Sequence, residues 1–357
     1  MLLTLVREQI AVGLSPLILS AGEPGMAEKP LETEARRLGL PVESWRMKPG
    51  FNPSEALRIL RWARERGYEL LHSHGYKFNV LMGMWPQSVR RLPMVATLHG
   101  YVKAARFSKS WLYESLDRVI LGRLNRVIVV SDAMMKDIPE GLSRSSRTSV
   151  IPNGLDIDGL RQAAGQPLPA DFADFIAAHS PVLLGVGRLS REKGFERLVA
   201  AFASLRADHP EAGLLIIGEG KERAALARQA QQAGVAEALM MPGYSDAVPA
   251  LMQAVDAICL PSYTEGLPIT LLEAMALDVP VIASDVGEMA AVLGNGEGGY
   301  VVRLDQGEDL REAIDQCLAA EADRQARVAW ARERVSSDYS GQAMGRLYLS
   351  AYEQVAS

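Results

Sequence analysis

The sequence predicts an α/β protein made of two doubly wound, Rossmann-like domains that face an interdomain cleft. Three observations predict it. Short apolar runs alternate with longer amphipathic stretches along the chain, the pattern of βα units that build parallel sheets. At 357 residues the chain can bury two separate cores. Turn-forming residues gather near the middle, in PNGLDIDG and AAGQPLPAD between Asn153 and Asp171, where a domain boundary belongs.

The elements follow in order. In the first half, strands are expected at SPLILS (15–20), ELLHSH (69–74), MVATLHG (94–100), RVIVVS (126–131) and TSVIPNG (148–154). Helical stretches such as PSEALRILRWARERG and SWLYESLDRVILGRLN lie between them. In the second half the strands are PVLLGVG (181–187), AGLLIIG (212–218), ALMMPG (238–243), DAICLPS (256–262), PVIASD (280–285) and YVV (300–302). Their partner helices include ERLVAAFASLRADHP, KERAALARQAQQAG, VPALMQAV, TLLEAMALD and EDLREAIDQCLAAEADR. This reading divides the chain into domains 1–158 and 159–337. The amphipathic helix at about 338–357 returns to the first domain, with Met344, Leu347, Leu349 and Tyr352 available for burial. The chain opens inside a helical pattern, MLLTLVREQIAVG. A doubly wound domain ordinarily opens with a strand and a Gly-rich turn before such a helix, so the first domain is expected to lack both, with unpaired edges on the neighbouring strands.

Composition narrows the class. The apolar share of 48% and charged share of 23% suit a soluble globular protein. No apolar run reaches the ~18–20 residues of a membrane span. The opening segment is interrupted by Arg7, Glu8 and Gln9 and has no basic leader, so a secretory signal is not expected. Cys259 lies in an apolar strand and Cys317 in a helical pattern, as reduced core residues of a cytoplasmic protein would. The net charge of −5 divides into +6 over 1–160 and −11 over 161–357. Between Arg90 and Arg126 eight basic residues face Glu114 and Asp117, with Phe107, Trp111 and Tyr113 interleaved. This is either a solvated helix face or a peripheral contact with an anionic membrane, which would put the protein at the inner face of the membrane. Nucleic acid is not an expected partner, because no binding motif is present and the chain is acidic.

The segment PSYTEGLPITLLEAMALDVPVIASDVGE (261–288) carries the chemistry. Glu265 lies in the loop after one strand, and Glu273, eight positions on, lies in the helix that this loop feeds. In a parallel sheet that is the carboxyl edge, where ligands bind. Two carboxylates there can hold vicinal hydroxyls while helix-start amides face a phosphate. In GVGRLSREKGFERLV, Gly185 and Gly187 end a strand, and Arg188 and Lys193 follow on the loop, a fork of donors and a point charge suited to a diphosphate. The bland alternatives are an acid complementing a helix dipole and incidental surface cations.

GRLSREKG, IIGEG, EGLPITLLEAMA and PNGLD, in this order and spacing, resemble the retaining glycosyltransferases of family 4, which have the GT-B fold. The similarity runs from the first residue and is strongest from Val150 to Tyr300. The resemblance implies that Glu273 binds the ribose of the nucleotide and Glu265 a hydroxyl of the transferred sugar. Gly266, Leu267, Pro268 and Ile269 would lie against sugar and phosphate, with amides from all but the proline. Gly187, Arg188 and Lys193 would meet the diphosphate, and Gly243 and Tyr244 would pass beside the base. His99 resembles the family's active-site histidine, and His74, Gly75, Tyr76 and Lys77 an acceptor-side loop; Ser131 and Asn153 would face the cleft. His99, Glu265, Arg188 and Lys193 are thus the implied catalytic residues. No metal and no cofactor is implied, because the two cations serve the diphosphate and no Asp-x-Asp motif occurs; His72 reads as an interior histidine. The implied activity is transfer of a hexose from a nucleoside diphosphate sugar to a lipid-linked or saccharide acceptor. Configuration would be retained, and the product would serve cell-surface or extracellular polysaccharide. Two alternatives stay open. One is a nucleotide-sugar-binding protein without turnover, suggested by the missing first strand and Gly-rich loop. The other is a nucleotide-sugar epimerase, disfavoured because Glu265 and Glu273 cluster on one side of the sugar.

Overall fold

A computed structural model describes residues 1–99 and 109–356, and for 109–113, 133 and 356 the backbone alone. The chain divides into two compact units, Met1–Gly154 with Gly341–Ser357, and Leu155–Ser340. These limits differ by a few residues from 158/159 and 337/338. The reason is local: the Leu155 N–H donates to the Tyr339 carbonyl at 2.7 Å and Leu155 bridges Ser340 in parallel, so the two crossing segments pair with each other.

The first unit contains β1 (Ile18–Gly22), β2 (Val42–Arg46), β3 (Leu71–Ser73), β4 (Met94–Leu98), β5 (Arg126–Val129) and β6 (Thr148–Val150). They form two parallel ladders, β1-β2 and β3-β4-β5-β6. These are the flanks of a doubly wound order, and no ladder joins β1 to β3 among the described residues. Helices join the ladders instead. On the helix Leu2–Ala11, Leu5 packs with Val95, Ile128 and Tyr348, while Val6 packs with Ile18, Ala35 and Leu40. On the other face Met94, Ala96 and Leu98 meet Ile59 and Leu60 of the helix Pro53–Glu65, with Leu19 and Leu71 at the margin. β2 escaped the sequence reading because VESWR has only two apolar residues, out of alternation, and all its residues are half-buried. Glu32, fully buried, ties the helix Pro30–Arg37 to β2 through bidentate bonds from Arg46 at 2.8 and 2.7 Å.

The helix Gly341–Ala356 packs on the first unit through Met344, Tyr348 and Ala351. Leu347, expected to be buried, is 45% exposed, because the 3.6-residue period selects 344, 348 and 351. The basic segment also needs correction. Arg90 and Arg126 are buried, at 1% and 8% exposure, so two of its eight cations are withdrawn from any membrane face. Phe107 and the side chains of Trp111 and Tyr113 lie outside the described residues. No described helix is long and apolar enough to cross a membrane.

The second unit has one six-stranded parallel sheet in the order β12-β11-β10-β7-β8-β9. The strands are β7 (Val182–Val186), β8 (Gly213–Ile217), β9 (Leu239–Gly243), β10 (Ala257–Leu260), β11 (Val281–Ser284) and β12 (Tyr300–Val302). VLLGV and GLLII are apolar throughout because helices cover both faces. One core layer holds Phe195, Leu198 and Phe202 of the helix Phe195–Asp208, and the other Leu271, Leu272 and Met275 of the helix Ile269–Ala276. The sequence 308–324, expected as one helix, is two, Leu310–Ala319 and Glu321–Asp338; Arg324 donates to the Cys317 carbonyl at the break. Cys259 and Cys317 are unbonded and buried in one layer.

Candidate functional site

In the second unit the strand order reverses between β7 and β10, which pair through Ala257–Leu183 and Ile258–Leu184. The chain leaves β7 toward one face of the sheet and β10 toward the other, so a crevice opens at their carboxyl ends. The predicted donor residues lie along this edge. Gly187, Arg188 and Lys193 follow β7. Glu265 to Pro268 follow β10, Ile269 and Glu273 ride on the helix it feeds, and Gly243 and Tyr244 end β9.

Adjacent loops are laced by their backbones. Tyr263 N–H donates to the Glu192 carbonyl at 2.8 Å, Leu189 N–H to that of Glu219 at 2.9 Å, and Glu288 N–H to that of Gly266 at 3.2 Å. Two glycines make this closeness possible. Gly194 (φ 65°) and Gly287 (φ 61°) lie in the left-handed region, and a Cβ on them would run into the carbonyls of Pro261 and Glu265. Neither was singled out from sequence, although the Lys193-Gly194 and Val286-Gly287 steps are readable as turns.

Charge meets charge at the centre. Lys193 Nζ and Glu265 Oε1 form an ion pair, and the Ser262 hydroxyl donates to the same oxygen at 2.9 Å. Ser262 was missed from sequence; its position three residues before Glu265 is the signal. Arg188 is exposed beside them in sequence, and Gly266 borders open space. Pro268 is the extended residue before the helix, whose first amides have no intrahelical partner. Leu267 packs on the core, while Ile269 is exposed. Glu273 is half-buried, and burial raises its carboxyl above the usual carboxylate range. No hydrogen bond joins it to Lys193 or Glu265 among the described residues. Tyr244 stands 79% exposed, its hydroxyl donating to Asp246 at 2.7 Å.

The first unit places His74 and His99 just past β3 and β4. His74 Nδ1 and His99 Nε2 share a hydrogen bond of 3.2 Å, with rings stacked 5.5 Å apart. Burial lowers both, His74 to about 3, and the His99 ring adds to the effect on His74. His72 is the interior histidine expected. Its Nε2 meets Thr97 Oγ1 at 2.8 Å and its Nδ1 the Tyr352 hydroxyl at 2.8 Å, while Gln9 donates to Tyr352 at 2.7 Å. Burial takes its affinity for a proton well below the ordinary value. Gly75 opens the helix Tyr76–Gly83, with Tyr76 and Lys77 in its first turn. Ser131 caps the turn Asp132–Lys136, its carbonyl accepting from Met134 N–H at 3.2 Å. Asn153 has a buried Oδ1 without a hydrogen-bond partner. Among the described residues no three His, Cys, Asp or Glu side chains are grouped to ligate an ion.

Residues 1–158 match the family described as Glycosyltransferase Family 4, and residues 171–334 match Glycosyl transferases group 1. A glycogen synthase of Mycobacterium tuberculosis is 32% identical over 276 residues, 73% of this chain, and the match spans 64% of that protein's length. A phosphatidyl-myo-inositol mannosyltransferase of Mycobacterium leprae is 28% identical over 330 residues, 90% of this chain and 83% of that protein. Among solved structures, Anabaena HepE in complex with UDP aligns with a TM-score of 0.75 at 20% identity, over 98% of this chain and 94% of that one. These neighbours share the fold class, GT-B with two Rossmann-like halves. Two glycosyltransferase family models together match nearly all of the sequence, and the chain belongs to the glycosyltransferases of family 4.

Proposed function

We propose that the protein transfers a hexose from a nucleoside diphosphate sugar to a lipid-linked or saccharide acceptor with retention of configuration. One observation carries the reading: Lys193, Glu265 and Ser262 meet at the carboxyl edge, where the strand order reverses. A cation for a diphosphate and a carboxylate for a hydroxyl lie side by side there. HepE has been solved with UDP and with UDP-glucose, which supports a uridine donor.

The chemistry asked of the residues is modest. The bond between the anomeric carbon and the diphosphate oxygen breaks, and negative charge grows on the departing diphosphate. Arg188 and Lys193 neutralise that charge, so no metal is required of the protein. The acceptor oxygen bonds to the anomeric carbon from the same face, and its proton passes to the diphosphate oxygen. Glu265 orients the sugar through a hydroxyl, and Glu273 takes the ribose. By the family resemblance, His99 would serve the donor sugar, and His74, Gly75, Tyr76, Lys77, Ser131 and Asn153 the acceptor. The product would enter cell-surface polysaccharide from the cytoplasmic side.

The test is release of nucleoside diphosphate from a panel of UDP-, GDP- and ADP-sugars, with Glu273→Ala alongside. The expected result is release with one donor class and its loss in the variant. Release as fast from the variant as from the parent overturns the site.

A further inference from the structure

We propose that Ser262 is a positioning residue that anchors Oε1 of Glu265 and leaves Oε2 as the carboxylate's open acceptor for a hydroxyl of the donor sugar. This rests on the donor-site reading above and adds to it a residue that fixes which sugar hydroxyl is read.

The terminal torsion of a glutamate is broad, so a carboxylate on a loop has no preferred aim unless something holds it. Two donors hold Glu265, both at Oε1: the Lys193 ammonium and the Ser262 hydroxyl at 2.9 Å. Among the described residues nothing donates to Oε2. The two anchors differ in permanence. Lys193 ends a short turn after β7 and reaches Glu265 on a flexible four-carbon stem. An arriving diphosphate competes for its charge directly.

Ser262 cannot be drawn away. It is 2% exposed and stands two residues past β10. Its carbonyl accepts from the Ser284 hydroxyl at 2.7 Å, at the end of the neighbouring strand β11. Its direction is therefore set by the sheet. A serine hydroxyl has one proton, and here it is given to Oε1. When the diphosphate takes Lys193, Ser262 is what keeps Oε2 facing the sugar.

Binding of UDP-glucose and GDP-mannose is measured by calorimetry against UDP and GDP, in the parent and in Ser262→Ala, Ser262→Cys and Glu265→Gln. Cysteine keeps the volume and loses most of the donor strength, so it answers the question if alanine disturbs folding. For whichever sugar nucleotide the parent binds, both Ser262 variants are expected to weaken it about tenfold, the size of one lost bond to a charged group. The sugar-free nucleotide is expected to change less than about twofold. The inference is overturned if the Ser262 variants bind the sugar nucleotide like the parent, or if they lose UDP or GDP equally. Glu265→Gln separates the two levels. If it too leaves sugar and sugar-free ligands in the parental ratio, or the parent binds no sugar nucleotide, the donor-site reading fails. If it collapses the ratio while Ser262→Ala and Ser262→Cys do not, the role of Ser262 alone fails.

Discussion

The two units treat their polar residues in opposite ways. The second has an uninterrupted parallel sheet and sets a cation and a carboxylate at the sheet edge, where Lys193 and Glu265 neutralise each other. The first has its strands in two ladders and keeps polar groups inside: His72 within a chain from Gln9 through Tyr352 to Thr97, and Glu32 against Arg46. Charge at an accessible edge can be redirected to a ligand. Charge or hydrogen bonding spent in the interior secures geometry. Under the proposed function, chemistry belongs to one unit's edge and architecture to the other's interior, and substitutions can separate these.

The largest effect is expected at the edge. Lys193→Ala removes a cation from the developing diphosphate charge and leaves Glu265 with Ser262 alone. Nucleoside diphosphate release should fall about 10²–10³-fold, while the thermal midpoint changes little, because the pair it breaks is partly solvated. A rate near the parent's would mean that Lys193 is a surface cation.

Next comes the interior of the first unit. Glu32→Ala leaves Arg46, the last residue of β2, without its carboxylate, and breaking such a pair costs about 3 kcal/mol. Arg46 holds Glu32 well below the usual carboxylate range, so the pair's contribution is present above the ordinary carboxyl value and is lost in strong acid. Urea denaturation read by tryptophan fluorescence suits this unit, since Trp330 alone of the five tryptophans lies in the second. UDP affinity should stay parental below the transition. Loss of both together would show that the units do not divide the work.

A milder effect follows from the histidines. Burial keeps His72 and His74 neutral in the folded first unit, below the ~6.5 of an unfolded chain. The unfolded state therefore binds more protons as pH falls below about 6.5, and stability declines by up to ~1.4 kcal/mol per pH unit per group. His72→Phe should flatten that decline in a series of denaturation curves between pH 7 and 5. A parental slope would mean that His72 is not the buried titrating group.

How much of this was legible in sequence depended on which forces wrote it. The βα alternation is set by burial on both sheet faces, so eleven of the twelve strands among the described residues stood out as apolar runs. VESWR did not, because a half-buried strand has no continuous apolar signature. Glu265, Glu273, Arg188 and Lys193 were readable because charged residues near turns are conspicuous. Ser262 and Gly287 were not: one acts through a single hydroxyl aimed by a neighbouring strand, the other through the absence of a side chain beside the Glu265 carbonyl. Contacts between loops far apart in sequence have no local pattern. The same holds for Arg90 and Arg126, whose burial no charge count foretells.

Glu273 offers the smallest stability change, and it runs opposite in sign to Glu32. Burial raises its carboxyl, with no cation paired to it among the described residues, so the fold favours the protonated form. A group raised in this way gives stability that is complete below its unfolded value and is lost as pH rises through the folded one. At neutral pH the ionised carboxylate is thus a standing cost, one that a ribose hydroxyl pair would offset by donating to it. Glu273→Gln removes the charge at similar volume. Its thermal midpoint should rise by a degree or two, by about 0.5 kcal/mol or more, as expected when a functional group held at a cost is neutralised. UDP binding should weaken about tenfold for the lost charged hydrogen bond. In the parent, UDP affinity should also fall on acidification at a higher pH than an ordinary glutamate would allow, and the Gln variant should lack that step. A midpoint that drops in Glu273→Gln, with UDP affinity unchanged, would make Glu273 a structural helix acid and leave the edge of the second unit with Glu265 alone.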